Sequence, residues 1–241
     1  MRNLLSRLRI SIIENNIGRK YLLYAIGEIF LVMIGILLAL QINNWNEDRK
    51  DRLTERKILQ ELAENLEINA QSLKGNIQWT QSLDKSSEMV LNVIEQRLPY
   101  HDSLDTHFAT ALTHVDGSSL TSQVAFESLK NIGFNIIRNE DLQKEIIYLF
   151  EQSYQGLNNT LLRSGAAHTT ILELQHRFFL RKPGYRYKPH SYNEVLNNAE
   201  LHSWMWYVKD TRLWLNGHKN RSLVQTEKVL KLIQEELGRL D

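Results

Sequence analysis

The sequence contains no cysteine, and it has only three prolines and eleven glycines among its 241 residues. Without cysteine, the chain cannot form disulfides, thiolate nucleophiles or cysteine-ligated zinc sites. The scarcity of proline and glycine favours long helices over an architecture of short strands and turns. Composition therefore indicates a helical protein, and it leaves open whether the compartment is oxidising or reducing.

Motifs of common enzymes and cofactor-binding proteins are also missing. The chain has no glycine-rich phosphate loop, no G-x-S-x-G nucleophile motif and no H-E-x-x-H zinc motif. His101, His107 and His114 recur every six or seven residues, whereas helical metal sites use spacings of three or four. We therefore expect no enzymatic activity, no cofactor and no metal, and we interpret the histidines as solvated loop residues.

The charges are nearly balanced, with 29 lysines and arginines against 28 acidic residues. This balance argues against a nucleic-acid partner, because such a surface must neutralise phosphates. Only the beginning of the chain is basic, since residues 1–20 contain five cations and one acid. This segment is interpreted either as a positive flank that sets topology or as a short helix on the anionic inner leaflet.

Residues 21–42 form an apolar run, YLLYAIGEIFLVMIGILLALQI, with a single charge at Glu28. A helix of this length spans about 33 Å, enough to cross a hydrocarbon core of about 30 Å. Tyr21, Tyr24 and Trp45 lie where interfacial aromatic residues are expected. Because the five cations before the run outnumber the three within ten residues after it, the positive-inside rule puts the N-terminus in the cytoplasm.

A cleaved signal peptide and a buried core helix are the two other interpretations of this run. A signal peptide has a shorter apolar region and small residues at its cleavage site, which residues 40–44 do not provide. A run of 22 residues that is apolar on every face has the wrong length and pattern for a buried core helix. The sequence therefore predicts three segments. They are a basic cytoplasmic N-terminus at 1–20, a transmembrane helix at 21–42 and a periplasmic helical domain at 43–241.

One face of the predicted span combines a carboxyl group with small residues. Glu28, Gly35 and Ala39 fall on one stripe at helical spacing. A small-x-x-x-small pair such as Gly35 and Ala39 lets a second helix approach closely. An ionised carboxylate about 10 Å inside hydrocarbon is costly. We predict a packing face for a partner helix, with Glu28 hydrogen-bonded across it. The alternative is a protonated Glu28 that reaches back to the interface.

The region after the span predicts a stalk that becomes the first helix of a bundle. Its apolar seam repeats by three and four residues, a heptad pattern. The seam consists of Leu59, Leu62, Leu66, Asn69 and Leu73, and it continues loosely through Thr80, Leu83, Ser87, Val90 and Ile94. Gly75-Asn76 is a candidate for a kink or break, and Leu98-Pro99 ends the pattern.

Later segments predict further helices with identifiable ends. In chain order they are a short helix at Ser103–Ala111, a turn at 115–118, a helix capped by Thr121 or Ser122 that ends before Gly133, a long helix from Asn139 to about Arg181, a basic aromatic loop at 182–189, a short turn capped by Ser191 and a final helix at Ala199–Leu237. The expected fold class is all-α, with one N-terminal transmembrane helix that continues into a stalk and an extracytoplasmic antiparallel bundle of long helices.

Two long stretches of the chain are KYLLYAIGEIFLVMIGILLALQINNWNE at residues 20–47 and AFESLKNIGFNIIRNEDLQKEIIYLFE at residues 125–151. Both resemble the signatures of an uncharacterised family of small single-span membrane proteins of Gram-negative bacteria. The resemblance covers the first 150 residues and matches the last third loosely. It implies the single-span topology and an extracytoplasmic helical domain. It implies no activity, and it carries over no catalytic residue.

Two features of the last third are candidates for partner contact. The first is an aromatic segment with Trp204, Trp206, Tyr207 and Trp214. One helix face cannot bury all four rings, so they are interpreted as a contact surface, an aromatic ligand pocket or ordinary core. The second is the basic aromatic loop. Its cations include Arg181, Lys182 and Arg186, and it is either a receiver of an acidic partner or a solvated hairpin tip.

The leading prediction is a non-enzymatic accessory subunit, anchored in the inner membrane, that presents a periplasmic helical bundle to another envelope protein. Its partners would be the lipid bilayer and either a second membrane or envelope protein or another copy of itself. The alternative is a ligand-binding or sensor-type bundle. A sensor usually needs a cytoplasmic output module, and about twenty residues precede the span.

Overall fold

The computed structural model describes residues 16–113 and 120–240, which are almost entirely helical. The helices are α1 at Asn16–Glu95, α2 at Leu104–Ala111, α3 at Val124–Ile132, α4 at Glu140–Tyr148, α5 at Gln155–Gly165, α6 at His168–Phe178, α7 at Tyr192–Asn197 and α8 at Ala199–Leu240. A 3₁₀ turn lies at Phe134–Ile136, a π-helical segment at Leu149–Tyr154, strand β1 at Phe179–Lys182 and strand β2 at Arg186–Pro189. The all-α expectation is confirmed. The predicted inner-leaflet helix near the N-terminus and the turn at 115–118 lie outside the described residues.

The chain divides into two compact units, Met1–Thr54 and Glu55–Asp241. The described part of the first unit is helical throughout and contains the apolar run at 21–42. Among the described residues this is the one helix that is long and apolar enough to cross a membrane. None of its most apolar 18-residue window is buried. Length, composition and exposure therefore agree with the predicted span.

The second unit has two apolar cores. The first core joins the early turns of α1 in this unit to α3, α4, the π-helical segment, α5 and the last turns of α8. Leu59, Leu62, Leu66 and Leu73 are fully buried there, so the predicted apolar seam is confirmed. Phe126 on α3 stacks on Phe150 of the π-helical segment, with ring centroids 4.4 Å apart.

The second core is built around the end of α1 and the beginning of α8. Val90, Leu91 and Ile94 pack there with residues of α2, α6, α7 and the β-hairpin. Phe108 on α2 is fully buried, and its ring centroid lies 5.2 Å from that of Phe179 at the start of β1. The hairpin is therefore part of the core, although it contains only eight strand residues.

Cross-helix contacts show how the long helices run. Residue numbers fall along α8 as they rise along α1, which makes this pair antiparallel. The pairs are Lys74 with Glu227 at 2.7 Å, Asp84 with Arg212 at 3.0 Å and Glu88 with Lys209 at 3.3 Å. The α4–α5 stretch also runs antiparallel to α8, because Glu145 pairs with Lys228 and Ser153 with Ser222.

Two predicted helix caps are confirmed. The Asn139 side chain accepts a hydrogen bond from the Leu142 amide, and the Ser191 hydroxyl accepts one from the Glu194 amide. The cap of α3 was predicted at Thr121 or Ser122 and is wrong by one or two positions, because Gln123 precedes the helix. Each confirmed cap satisfies an amide that has no partner within its own helix.

Three other predictions are wrong in detail. The helix predicted to reach Arg181 ends at Phe178, and the predicted loop at 182–189 contributes to a two-stranded hairpin. The long helix from Asn139 contains the π-helical segment and is interrupted at 166–167. No break occurs at Gly75, where the helix continues and a Cβ would meet nothing within 4 Å. The turns on either side of Gly75 are packed into the protein through the buried Leu73 and Ile77. This packing stabilises the helix and keeps it continuous at the glycine.

Candidate functional site

The aromatic segment of α8 divides between the core and the solvent. Trp204 is half-buried against the second core and meets Tyr207 edge-on, with ring centroids 5.1 Å apart. Trp206 is 42 % exposed, and the Lys209 ammonium lies 5.1 Å from the centre of its ring. Only one of these three rings therefore serves the core, and the other two remain accessible to a partner.

Trp214 lies further along the exposed side of α8. It is 51 % exposed, and its ring meets that of His218 edge-on with centroids 4.7 Å apart. His218 lines an open groove of ≈ 620 Å³ between α8 and the helix that carries the π-helical segment. At 100° per residue, Trp206, Tyr207 and Trp214 fall within about 100° of one another around α8. The structure thus places these three on one exposed side of α8, whereas Trp204, which touches Tyr207, is half-buried against the second core.

The predicted basic loop is a short antiparallel hairpin. Arg181 and Arg186 are exposed and Lys182 is half-buried. The Arg186 side chain donates to the Pro183 carbonyl at 3.2 Å, and no acidic side chain of the described chain forms an ion pair with any of these three cations. The hairpin therefore presents positive charge without internal compensation.

The predicted packing face of the span lies in the first unit. Glu28, Gly35 and Ala39 are all exposed. They fall within about 40° of one another around α1. A Cβ at Gly35 would meet nothing within 4 Å. This face is therefore open to a second helix.

A buried polar layer lies between the two cores, and the sequence analysis missed it. Arg212 on α8 is fully buried. Its Nε lies 3.0 Å from Asp84 Oδ1 on α1. Its terminal nitrogens donate to the Ser87 hydroxyl and to the carbonyls of Thr110 and Thr113, the latter two at 3.3 Å. A guanidinium has five donors, and this set of acceptors spans α1, α2 and the loop after α2.

A second buried cation belongs to the same layer. Lys219 is fully buried, and its ammonium donates to Asn216 Oδ1 at 3.3 Å. The same oxygen accepts the Thr80 hydroxyl at 2.6 Å. Two fully buried cations thus lie in one layer with the half-buried carboxylate of Asp84.

Burial dominates the proton affinities in this layer. It raises the pKa of Asp84, against the opposing charges of Arg212 and Lys209. It lowers the pKa of Lys219 to about 8, with Asp84 acting in the opposite direction. Arg212 and Lys219 are both fully buried, and the contacts of Arg212 join α8 to α1, to α2 and to the loop after α2.

A second polar cluster crosses the first core. Asn69 bonds to the backbone of Ser122 in both directions, at 2.9 and 2.7 Å. The Tyr154 hydroxyl lies 2.8 Å from Thr226 Oγ1 and 3.4 Å from Asn69 Nδ2. Burial raises the pKa of Tyr154 to about 12. Asn69, predicted as a seam residue, therefore ties the loop before α3 to the helical core.

The pKa of Lys219 leads to a pH-dependent stability. An unfolded lysine titrates near pH 10.4, so between about pH 8 and pH 10 the unfolded chain holds more protons than the folded one. The free energy of unfolding should therefore rise with pH, by about 1.5 kcal/mol between about pH 8 and pH 9.5. Urea titrations across this range measure the effect. In Lys219→Met this rise in unfolding free energy should be smaller. An equal rise in the wild type and the variant would contradict the lowered pKa of Lys219.

Two of the three histidines considered as metal ligands, His101 and His107, lie among the described residues. Among residues 16–113 and 120–240, no group of three or more His, Asp or Glu side chains is placed to hold a metal ion. His101 contacts the Ser103 hydroxyl at 3.0 Å and His107 the Ser86 hydroxyl at 3.2 Å. His114 lies outside the described residues.

The described residues form a helical protein with one candidate membrane span and exposed aromatic and basic faces. The model of a family of unknown function, DUF6090, matches residues 28–110. This match covers about a third of the chain, from within the apolar run through most of α2, and it fits the resemblance to an uncharacterised family. No curated protein and no solved structure matches the chain.

Proposed function

We propose that the protein is a non-enzymatic accessory subunit of the bacterial inner membrane. It spans the membrane once, keeps its N-terminus in the cytoplasm and presents its helical domain in the periplasm to another envelope protein. The observation that carries this proposal is the apolar run of α1, none of which is buried in its most apolar window. An exposed surface of this kind needs lipid or another helix to cover it.

The proposed orientation has a direct test. Five cations precede the apolar run, so the positive-inside rule retains that end in the cytoplasm. A reporter that is active only in the periplasm should be active when fused after Asp241 and silent when fused near Arg9. A reporter that is active only in the cytoplasm is the control and should give the opposite pattern. The reverse result with both reporters would overturn the orientation.

The proposed contact within the membrane predicts a graded response at Glu28. Glu28→Gln keeps the size and the hydrogen-bonding capacity, so it should largely preserve a complex with a partner helix. Glu28→Leu removes the polar group and Gly35→Leu blocks close approach, so each should release the partner. An interhelical hydrogen bond in a bilayer is worth about 0.5–2 kcal/mol, so co-purification must be quantified across a series of detergents.

Gly27→Leu is the matched control for Gly35→Leu. Gly27 lies about 80° away from Gly35 around the helix, and a Cβ there also meets nothing within 4 Å. It should co-purify the partner like the wild type. If Glu28→Leu and Gly35→Leu do the same, the span is only an anchor. Equal damage from Glu28→Gln and Glu28→Leu would instead indicate that the charge itself is recognised.

A second candidate function is the binding of a small molecule in the helical domain. It is favoured by the groove of ≈ 620 Å³ beside α8, whose wall includes His218, Arg221 and Tyr148. The groove has aromatic and cationic groups at its rim, which suit an anionic ligand with an apolar part. Native mass spectrometry distinguishes the two candidates, because this one yields a monomer with added small-molecule mass.

A further inference from the structure

The pairing register sorts the hairpin side chains onto two faces. Residues directly opposite each other in an antiparallel pair point to the same face, and successive residues alternate between faces. Phe179 pairs with Pro189, and both are buried. The next pair, Leu180 with Lys188, therefore points outward, as does the pair of Lys182 with Arg186 two positions on.

The outward face gathers positive charge that the described chain leaves uncompensated. Lys182 lies directly opposite Arg186, and Leu180, which is 52 % exposed, lies opposite Lys188. Like charges directly opposite each other destabilise a strand pair. No acidic side chain within the described residues forms an ion pair with any of these three cations. Repulsion between these cations therefore destabilises the isolated hairpin. A compensating negative charge would have to come from outside the hairpin.

The inward face holds the hairpin rigidly. The Tyr187 hydroxyl donates to Gln175 Oε1 at 3.2 Å. The amide nitrogen of Gln175 in turn donates to the Leu112 carbonyl at 2.8 Å. These bonds join β2 to α6 and to the end of α2. The cations on the opposite face are consequently presented from a fixed backbone, which lowers the entropy lost when a partner binds.

The turn between the strands is strained. Tyr185 has φ = 55°, a left-handed conformation that is unusual for a bulky residue. Its hydroxyl lies 2.6 Å from the Thr113 hydroxyl, a contact that holds the turn in place. Strain of this kind persists where the surrounding structure enforces it, and it concentrates at functional sites. Here it sets the positions of Lys182 and Arg186 on either side of the turn.

We propose that the face formed by Leu180, Lys182, Arg186 and Lys188, the basic hairpin face, binds an acidic segment of a partner protein. The inference rests on the proposed accessory function and adds the chemistry of the partner. Carboxylates complement the three cations, and Leu180 offers an apolar contact between them. Half-buried lysines on a rigid strand suit carboxylates at fixed spacing, whereas anionic lipid recruits flexible polybasic segments.

The test uses the full chain in nanodiscs of uncharged lipid and a labelled peptide of alternating glutamate and alanine. Fluorescence anisotropy should detect binding that is at least about ten-fold tighter than that of the same peptide with glutamine for glutamate. The variant K182Q/R186Q/K188Q should lose about ten-fold in affinity. Binding should weaken as salt is raised, because the contacts are exposed charge pairs.

The matched control is K85Q/R163Q/K231Q, which removes the same charge from exposed positions on α1, α5 and α8. It should stay within about two-fold of the wild type. Equal losses of peptide affinity in both variants would mean that net charge alone accounts for the binding. That result would overturn the inference. So would equal binding of the two peptides, or binding of phosphatidylglycerol vesicles without binding of the peptide. Because the peptide is added separately, a failure here with a partner still co-purifying overturns the hairpin inference alone.

Discussion

Replacing Arg212 with methionine should lower the free energy of unfolding of a fragment spanning residues 46–241 by about 3–5 kcal/mol. The substitution leaves the Asp84 carboxylate without its guanidinium partner in a buried layer. It also strands the carbonyls of Thr110 and Thr113, which accept from Arg212 at 3.3 Å. Urea unfolding followed by tryptophan fluorescence and by circular dichroism measures the loss.

The double variant Asp84→Leu with Arg212→Met separates charge from packing. An apolar pair of similar volume often replaces a buried ion pair without loss. The double variant should therefore be more stable than Arg212→Met alone. Its recovery should be incomplete, because Lys219 then lacks the single carboxylate that faces it. A loss below about 1 kcal/mol in Arg212→Met would mean that the layer is not held by this charge pair.

Replacing Leu62 or Leu66 with alanine should cost about 2–5 kcal/mol each in the same fragment. Both side chains are fully buried in the first core, so each substitution removes apolar contacts and leaves a cavity. Ile68 on the same helix is 61 % exposed and provides the control. Ile68→Ala should change the unfolding free energy by no more than about 0.5 kcal/mol.

The Leu62→Ala and Leu66→Ala variants also decide whether the stalk belongs to the folded domain. A helix that is packed inside the domain must lose stability when Leu62 or Leu66 is truncated. An unchanged unfolding transition in both variants would instead mean that this part of α1 is a solvated helix. That result would contradict the first core as the structure presents it.

Features that depend on local chemistry were predictable from the sequence. The apolar run, the seam from Leu59 to Leu73 and the caps at Asn139 and Ser191 each involve residues a few positions apart. A cap side chain reaches an amide three residues away, and a heptad repeat needs only helical periodicity. Such signals do not depend on what the helix later packs against.

The buried polar layer was unpredictable because its partners are distant in sequence. Arginine and lysine are almost never fully buried without a partner, so residue type alone places Arg212 and Lys219 on the surface. Asp84, which makes the burial of Arg212 tolerable, lies on a different helix. A signal was nevertheless present, because both cations occupy positions of the buried heptad along α8. Polar residues at several positions of one buried seam indicate a buried polar layer.

The hairpin was missed for a different reason. Strands of four residues are too short to show alternation against a helical background. Pro183 and Gly184 were interpreted as a loop, whereas the structure uses them in the turn that pairs Lys182 with Arg186. The strained backbone of Tyr185 is stabilised by Thr113, a contact that no local pattern reveals.

For the aromatic segment of α8, helical periodicity predicted some features of burial and not others. The helical angle between Trp204 and Trp206 predicted that one core face cannot bury both, and Trp206 is indeed 42 % exposed. Helical periodicity did not determine which ring turns inward, because that depends on the neighbouring α1 and α7. The role of the exposed rings in partner contact stays a prediction.

We propose above all that this protein is an inner-membrane-anchored subunit that presents its helical domain to another envelope protein. The most direct measurement is purification of the full chain from its native membrane in mild detergent, followed by native mass spectrometry. The account predicts a second protein in fixed stoichiometry, either a different membrane or envelope protein or another copy of the chain. A monomer that carries no protein partner, alone or with a bound small molecule, would contradict it.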